Sequence, residues 1–415
     1  MTDFFLSFFI KMNYKDTIEW MFAQLPMYQH QGASAYKTDL TNTLLLAGHL
    51  GNPEKKLKTI HIAGTNGKGS VSNMLASILQ EAGYKTGLYT SPHLKDYRER
   101  IKINGKDIPE SVVCRFIEQN KLFLEKNQLS FFEMTVGLAL DYFVKEEVDV
   151  AVIEVGLGGR LDSTNIITPV ISVITNIGFD HTQFLGNTLK SIATEKAGII
   201  KPNIPVVIGE YNNETKLIFQ QKAQASNAPV YFASDLINEE YESPLSGDYQ
   251  EHNKKTVIQT IKVIADIFPV TEAEIRNGFK NVILNTGFKG RWQQIHDKPL
   301  AICDTAHNRQ GLEIVMNQVK KQEYDKLHIV LGVVNDKSLD KILPLFPKEA
   351  VYYFCKPDIP RGLDAKILQH NAIAFGLTGE AFGSVPEAYA SALNNASVSD
   401  FIFVGGSTFV VAEAL

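Results

Sequence analysis

Seven consecutive residues, Gly64-Thr65-Asn66-Gly67-Lys68-Gly69-Ser70, hold three glycines, two hydroxyls and one lysine. Glycines let backbone N–H groups come close to an anion, a following helix aims its positive end at the same point, and the Lys68 ammonium adds a mobile charge. The chemistry this suits is the holding of a polyphosphate. The commonest phosphate-loop pattern has a glycine five residues before Gly67, where this chain has Ile62, and Gly69 separates Lys68 from Ser70. Generic kinases and GTPases therefore fit poorly.

A second group of reactive residues comes further along. The apolar run Val148-Asp149-Val150-Ala151-Val152-Ile153 ends in Glu154 and then Gly156-Leu157-Gly158-Gly159-Arg160-Leu161-Asp162. A carboxylate at the end of a buried strand beside a phosphate loop suits Mg²⁺, a hard cation that takes oxygen donors and bridges to phosphate. The run Val170 to Ile177 similarly leads into Gly178-Phe179-Asp180-His181, which gives His181 a parallel placement.

To bring these residues together the chain needs strands that end side by side. Apolar runs at Thr59–Ala63, Thr86–Tyr89, Val148–Val155, Val170–Ile177 and Val206–Ile208 alternate with helical patterns. One such pattern, after the glycine loop, places Val71, Met74, Leu75, Ile78 and Leu79 at helical spacing. The alternation predicts an α/β fold, a mainly parallel sheet with crossover helices, whose ligands gather at strand ends. A second series at Leu300–Cys303, His328–Val334, Val351–Cys355 and Phe401–Val404 predicts a smaller Rossmann-like α/β domain at the C-terminus. The boundary is read at Asn285-Thr286-Gly287-Phe288-Lys289-Gly290-Arg291, giving domains 1–286 and 287–415. At 415 residues the chain exceeds what one core usually serves.

Composition narrows the class. A net charge of −5, with lysines scattered, gives no footprint for a nucleic acid. Cys114, Cys303 and Cys355 lack metal-like spacing and read as reduced thiols in a cytoplasmic protein. No apolar run reaches membrane-spanning length. Phe4 to Ile10 is apolar but lacks the basic flank and cleavage site of a secretory signal. The first eleven residues are expected to be dispensable, with Met12 opening the ordinary amphipathic segment.

The motifs in series resemble the folylpolyglutamate synthase and dihydrofolate synthase family of the Mur ligase superfamily. The likeness is carried by the loop Gly64–Ser70, Thr90-Ser91-Pro92-His93-Leu94, Phe132-Glu133, Glu154 to Asp162, Asp180-His181-Thr182, Glu195-Lys196-Ala197-Gly198-Ile199, Gly290-Arg291 and Asp304-Thr305-Ala306-His307-Asn308. It spans residues 64 to 308, in the family's order.

The resemblance implies an ATP-dependent amide ligase that adds L-glutamate to dihydropteroate, to folate polyglutamates, or to both, through an acyl phosphate. It implies that Gly64, Thr65, Asn66, Gly67, Lys68, Gly69 and Ser70 hold the ATP phosphates, joined by Asn253, Arg291, Asp304 and His307. Ser91 and Glu154 are similar to the ligands of one Mg²⁺, and His181 to a ligand of a second. Lys196 matches a lysine that CO₂ carbamylates, which would turn a metal-repelling ammonium into an anionic oxygen donor. Lys68, Lys196 and His181 are the residues implied in catalysis. Ser130, Phe132, Asp162 and Ser163 resemble a pterin pocket, with serine at 130 where many bifunctional relatives carry threonine. Before Gly290 stands Lys289 where proline is common.

Two other readings remain. A cell-wall Mur ligase carries a sugar-nucleotide domain before its phosphate loop, for which the 63 residues ahead of Gly64 are too few. A silent nucleotide-binding module would have to keep Glu154, His181 and Lys196 without using them. The expected partners are small molecules, namely pteroate or folate, L-glutamate and ATP; no nucleic acid or membrane is expected, and the chain is expected to act as a monomer.

Overall fold

The computed structural model describes residues 12–25 and 39–415. The expectation about the first eleven residues lies outside them.

The first sheet has eight strands: β1 (Thr59–Ala63), β2 (Thr86–Tyr89), β3 (Ile101–Ile103), β4 (Lys106–Asp107), β5 (Val150–Glu154), β6 (Ile171–Ile174), β7 (Val206–Ile208) and β8 (Val230–Phe232). Their order is β4-β3-β2-β5-β1-β6-β7-β8. Only β3, next to one edge, runs against the others, so its pairings with β2 and β4 are antiparallel. The chain leaves β1 toward β2, returns to β5 and then crosses to β6, so the ends of β5, β1 and β6 flank a topological switch point, where such sheets bind ligands.

Strand alternation assigns the two faces. Ile60, Ile62, Val150 and Val152 point into one core, whereas Ala151 and Ile153 point into the other. Five helices position the site and are labelled in chain order: α1 (Lys68–Glu81), α2 (Phe131–Lys145), α3 (Leu189–Ala197), α4 (Gln250–Val263) and α5 (Arg309–Val319). On the first face lies α1, placing Val71, Met74, Leu75, Ile78 and Leu79 in the core. Its opposite side is covered too, by α4 and the helix Glu272–Lys280, so Ser72 and Ser77 are also buried. The Ser77 hydroxyl donates to the Gly278 carbonyl at 2.7 Å. A helix carrying the phosphate loop is thus clamped on both sides.

The second sheet has six strands: β9 (Gln293–His296), β10 (Leu300–Asp304), β11 (Leu327–Leu331), β12 (Val351–Cys355), β13 (Gly379–Phe382) and β14 (Phe401–Gly405). They lie in the order β13-β12-β11-β14-β10-β9, with only β9 antiparallel. Ile302, Ile329 and Phe403 face α5; Cys303, Val330 and Val404 face the helices Val385–Asn395 and Thr408–Ala414. Both sheets are therefore covered by helices on two sides, as near-continuous apolar strands require.

All the expected strands form, with ends that move by up to three residues. The run Val170–Ile177 is a strand only over Ile171–Ile174. Five strands were not expected: β3, β4, β9 and β13, which lack an apolar run, and β8, whose Val230-Tyr231-Phe232 is only three residues long. Each lies at or next to a sheet edge, where one flank is open and a short polar sequence such as Gln293-Gln294-Ile295-His296 is tolerated. The three cysteines are free and buried. Among the described residues no helix is long and apolar enough to cross a membrane.

Candidate active site

The loop after β1 is built by contacts that only glycine allows. Gly64 has φ 149° and Gly67, the N-cap of α1, has φ 84°. A Cβ on Gly67 would sit 2.2 Å from Asn253 Oδ1, and one on Gly64 would overlap the Thr175 hydroxyl. The loop is tied to the neighbouring strand end: Thr65 N–H donates to the Asn176 carbonyl at 3.0 Å, and Asn66 N–H to Asn176 Oδ1 at 2.9 Å. Lys68 Nζ folds back on the loop, donating to the carbonyls of Gly64 (3.1 Å) and Thr65 (3.2 Å). From α4, Gln250 Nε2 donates to Ser70 Oγ at 3.2 Å and Asn253 Nδ2 to Gln250 Oε1 at 2.8 Å.

Lys196, near the end of α3, meets the same carbonyl. Its Nζ donates to Gly64 O at 2.9 Å from a position only 4% exposed. Desolvation, followed by repulsion from Lys68, pushes it down to about 7. Near neutrality this amine therefore has a lone pair. Glu154, at the end of β5, is equally buried, and desolvation pushes its carboxyl up to about 7 against the charges of Lys68 and Arg291 and the Ser91 N–H. His181, with φ 49°, is held neutral by burial, at about 4.

Asp162 lies in the turn beyond β5. It accepts from Leu157 N–H at 2.8 Å, from Thr164 N–H at 3.0 Å and from the Thr164 hydroxyl. The Thr164 hydroxyl also contacts His61 Nε2 at 2.8 Å, on β1 beneath. Across from Asp162, the Ser130 hydroxyl caps α2 by accepting from Glu133 N–H at 3.2 Å. Its oxygen is thereby already committed to the backbone, and Phe132 in the first turn of α2 lies against Gly156.

The second sheet closes over this floor. Asp304, at the end of β10, accepts from the Tyr249 hydroxyl (2.6 Å), Trp292 N–H (2.7 Å) and Ala306 N–H (2.8 Å). Arg291 donates to the Thr305 hydroxyl and lies 5.2 Å from the Phe288 ring centre. The two halves meet at Asp180, which binds Lys337 Nζ at 3.0 Å, His307 Nε2 at 3.2 Å and Asn308 Nδ2 at 3.2 Å. Burial would raise its pKa, but the His307 hydrogen bond and the nearby charges hold it well below the usual carboxylate range. Asn308 Nδ2 also donates to Asn66 Oδ1 of the phosphate loop at 2.8 Å.

The result is one cavity of roughly 440 Å³ between the two sheets. All the residues singled out from the sequence line it: Gly64 to Ser70, Ser91, Ser130, Phe132, Glu154, Asp162, Ser163, His181, Lys196, Asn253, Arg291, Asp304 and His307. It also contains residues the sequence did not point out, among them Arg100, Tyr249, Gln310 and Lys337. Lys337 lies in the loop after β11, so the strand-end logic that picked out Glu154 and His181 would have reached it too. Arg100 carries no such signal.

Among the described residues no three His, Cys, Asp or Glu side chains form a ready metal cluster. Glu154 nevertheless fits a cation, being a buried carboxylate whose ionisation burial opposes. A site offering one or two protein ligands, with phosphate and water supplying the rest, is the arrangement Mg²⁺ favours.

Two α/β sheets closing on a phosphate loop are the architecture of a Mur-type ligase, and the family matches show that class here. Residues 62–275 match the family described as the Mur ligase middle domain, and residues 290–408 the Mur ligase glutamate ligase domain. The chain belongs to the folylpolyglutamate synthase/dihydrofolate synthase family of these ligases. It is 34% identical over 388 residues to the folylpolyglutamate synthase of Lacticaseibacillus casei, covering 85% of this chain and 87% of that one. To a probable bifunctional folylpolyglutamate synthase/dihydropteroate synthase of Haloferax volcanii it is 33% identical over 89% of its length, but spans only 47% of that protein. In structure it is similar to Escherichia coli FolC in complex with DHPP and ADP, with a TM-score of 0.86 at 29% identity, covering 97% of this chain and 96% of that one. A bifunctional folylpolyglutamate synthase/dihydrofolate synthase with Mn, AMPPNP and L-glutamate bound gives a TM-score of 0.83 at 28% identity, covering 97% and 98%.

Proposed function

We propose that this chain ligates L-glutamate to the carboxylate of dihydropteroate, of folate polyglutamates, or of both, at the expense of ATP. The observation that carries the reading is the single cavity in which a phosphate loop, Glu154, Lys196 and the ring-facing pair Phe132 and Asp162 stand on one side, with Arg291, Asp304 and His307 on the other. The two working lobes are residues 1–286 and 287–415, the second binding glutamate, in a monomer acting in the cytoplasm.

A carboxylate is a poor acyl donor because its oxygen leaves badly. In the first step an acceptor carboxylate oxygen bonds to the γ-phosphorus of ATP as the bond to the β-phosphate oxygen breaks, giving an acyl phosphate and ADP. The glutamate amine then adds to the acyl carbon, loses a proton, and the tetrahedral species expels phosphate. Backbone N–H groups of Gly64–Ser70 and the Lys68 ammonium meet charge on the phosphoryl oxygens, and Arg291 adds a planar donor from the far lobe. Closure around Asp180 excludes the water that would hydrolyse the acyl phosphate.

Ser91 and Glu154 would hold one Mg²⁺ and His181 the other; the ions would offset charge on the phosphates. Lys196 suits carbamylation because a substantial share of its amine is uncharged near pH 7: the nitrogen bonds to CO₂, a proton leaves, and an anionic oxygen replaces a cation. Phe132 offers a face to a flat ring, and the fixed Asp162 carboxylate accepts from ring N–H groups.

Incubation with Mg-ATP, L-glutamate and each acceptor in turn, with products identified by mass, tests the reading. The expected product is the acceptor plus one glutamyl residue, with ATP consumed only when both partners are present. Product from neither acceptor refutes the substrate assignment, and ATP use independent of both favours a nucleotide-binding module.

A further inference from the structure

Arg100 ends the short turn Tyr97–Arg100 that leads into β3. The turn is rigid. Glu99 accepts from the N–H groups of Leu94 (2.7 Å), Lys95 (3.0 Å) and Asp96 (3.0 Å), and the Arg100 carbonyl accepts from Thr90 N–H at 3.0 Å. Two residues earlier Arg98 pairs with the carboxylates of Asp96 and Glu110. Arg100 is different: it is 3% exposed, its Nε donates to His93 Nδ1 at 2.7 Å, and its guanidinium lies 5.3 Å from the Phe131 ring centre.

Accepting from Arg100 requires Nδ1 of His93 to carry no proton, so the imidazole offers the guanidinium a lone pair and not a countercharge. Among the described residues no carboxylate forms an ion pair with Arg100. The Tyr89 and Tyr97 side chains stand beside it, and the charge of Glu154 also acts on it. An arginine this deep with only a neutral imidazole and aromatic side chains beside it is costly, unless an anion arrives to complete it. The side chain lines the cavity, stacked on Phe131, the neighbour of Phe132, and within reach of the Glu154 charge.

Resting on the function proposed above, we propose that the Arg100 guanidinium binds the carboxylate of the acceptor acid and presents it for phosphorylation. An acid whose ring occupies the Phe132 end must carry its carboxylate past Arg100 to reach the phosphoryl group at Lys68. With Nε held by His93 and one donor facing the Tyr89 hydroxyl, the other Nη hydrogens serve the ligand. Arg100 then acts as the group that selects acids over neutral analogues.

The test compares binding of pteroic acid and its neutral carboxamide to the full chain by equilibrium titration. A hydrogen bond to a charged group corresponds to roughly 10- to 100-fold in affinity. The wild-type chain should bind the acid at least about tenfold more tightly than the carboxamide. In Arg100→Gln that preference should fall to within about twofold, with AMPPNP affinity unchanged, and Arg100→Lys should restore part of it. Should both variants fail to fold, the wild-type preference still decides. Equal wild-type affinities for acid and carboxamide, or the full preference retained in Arg100→Gln, would overturn the inference and leave the function standing. A wild-type chain that binds neither compound overturns both.

Discussion

Replacing Lys196 with methionine should produce a chain that is more stable and unable to turn over. The side chain is buried, its Nζ donates to Gly64 O, and burial takes it from 10.5 to about 7. At about 1.36 kcal/mol per unit, folding loses about 5 kcal/mol at or below pH 7 by desolvating this ammonium. Methionine has a similar length and no charge, and the Gly64 carbonyl keeps its bond from Lys68. Subtracting about 1–2 kcal/mol for the lost hydrogen bond leaves a net gain of about 3–4 kcal/mol. That corresponds to a rise in melting temperature on the order of 5–10 °C.

The pH dependence gives the sharper check. Between the folded pKa near 7 and the unfolded value of 10.5 the unfolded chain holds one more proton at this residue. Wild-type stability therefore gains from this lysine as pH rises through that window, and Lys196→Met lacks the gain. The difference in melting temperature between the two proteins, in CO₂-free buffer, should be largest at pH 7 and shrink toward pH 10. A methionine variant no more stable at pH 7, or a gap that does not change with pH, would refute the claim that this ammonium is desolvated.

Two further predictions concern the ligands and the closure. Glu154 becomes an anion only as pH rises through about 7, so apparent Mg²⁺ affinity in the ATP reaction should fall about tenfold per unit below it. A flat affinity from pH 5.5 to 8 would contradict its role, and Glu154→Gln should lower turnover more than about 100-fold. Asp180→Asn removes the charge and one of the two acceptor oxygens that Lys337, His307 and Asn308 share, costing closure about 2–3 kcal/mol. X-ray scattering should then show a larger radius of gyration; an unchanged profile would mean that other contacts hold the lobes.

Much of the site was legible because its chemistry sits at strand ends. The apolar runs that become β1, β5, β6 and β10 each deliver a reactive residue one to seven positions past the last apolar residue of the strand, and the glycines of the loop announce a close backbone approach. Lys337 was within reach of the same logic. Arg100 was not, because nothing in Tyr97-Arg98-Glu99-Arg100 distinguishes the arginine that pairs with Asp96 in solvent from the one buried under Phe131. Edge strands escaped for a related reason: β4 and β9 have an open flank, so hydrophobicity need not mark them.

Local sequence was enough to specify the strands of the two sheets, the phosphate loop, Glu154 and His181, because apolar runs and glycine geometry are local properties of the chain; the rest of the site was implied by the family resemblance. The charge states came only from packing. Lys196 lies 132 residues from the Gly64 carbonyl it binds, and Asp180 lies 157 from Lys337. Whether an ammonium or a carboxylate keeps its charge depends on the water that packing removes and on the charges packing brings near. Those are set by contacts between distant segments and are absent from any window of sequence.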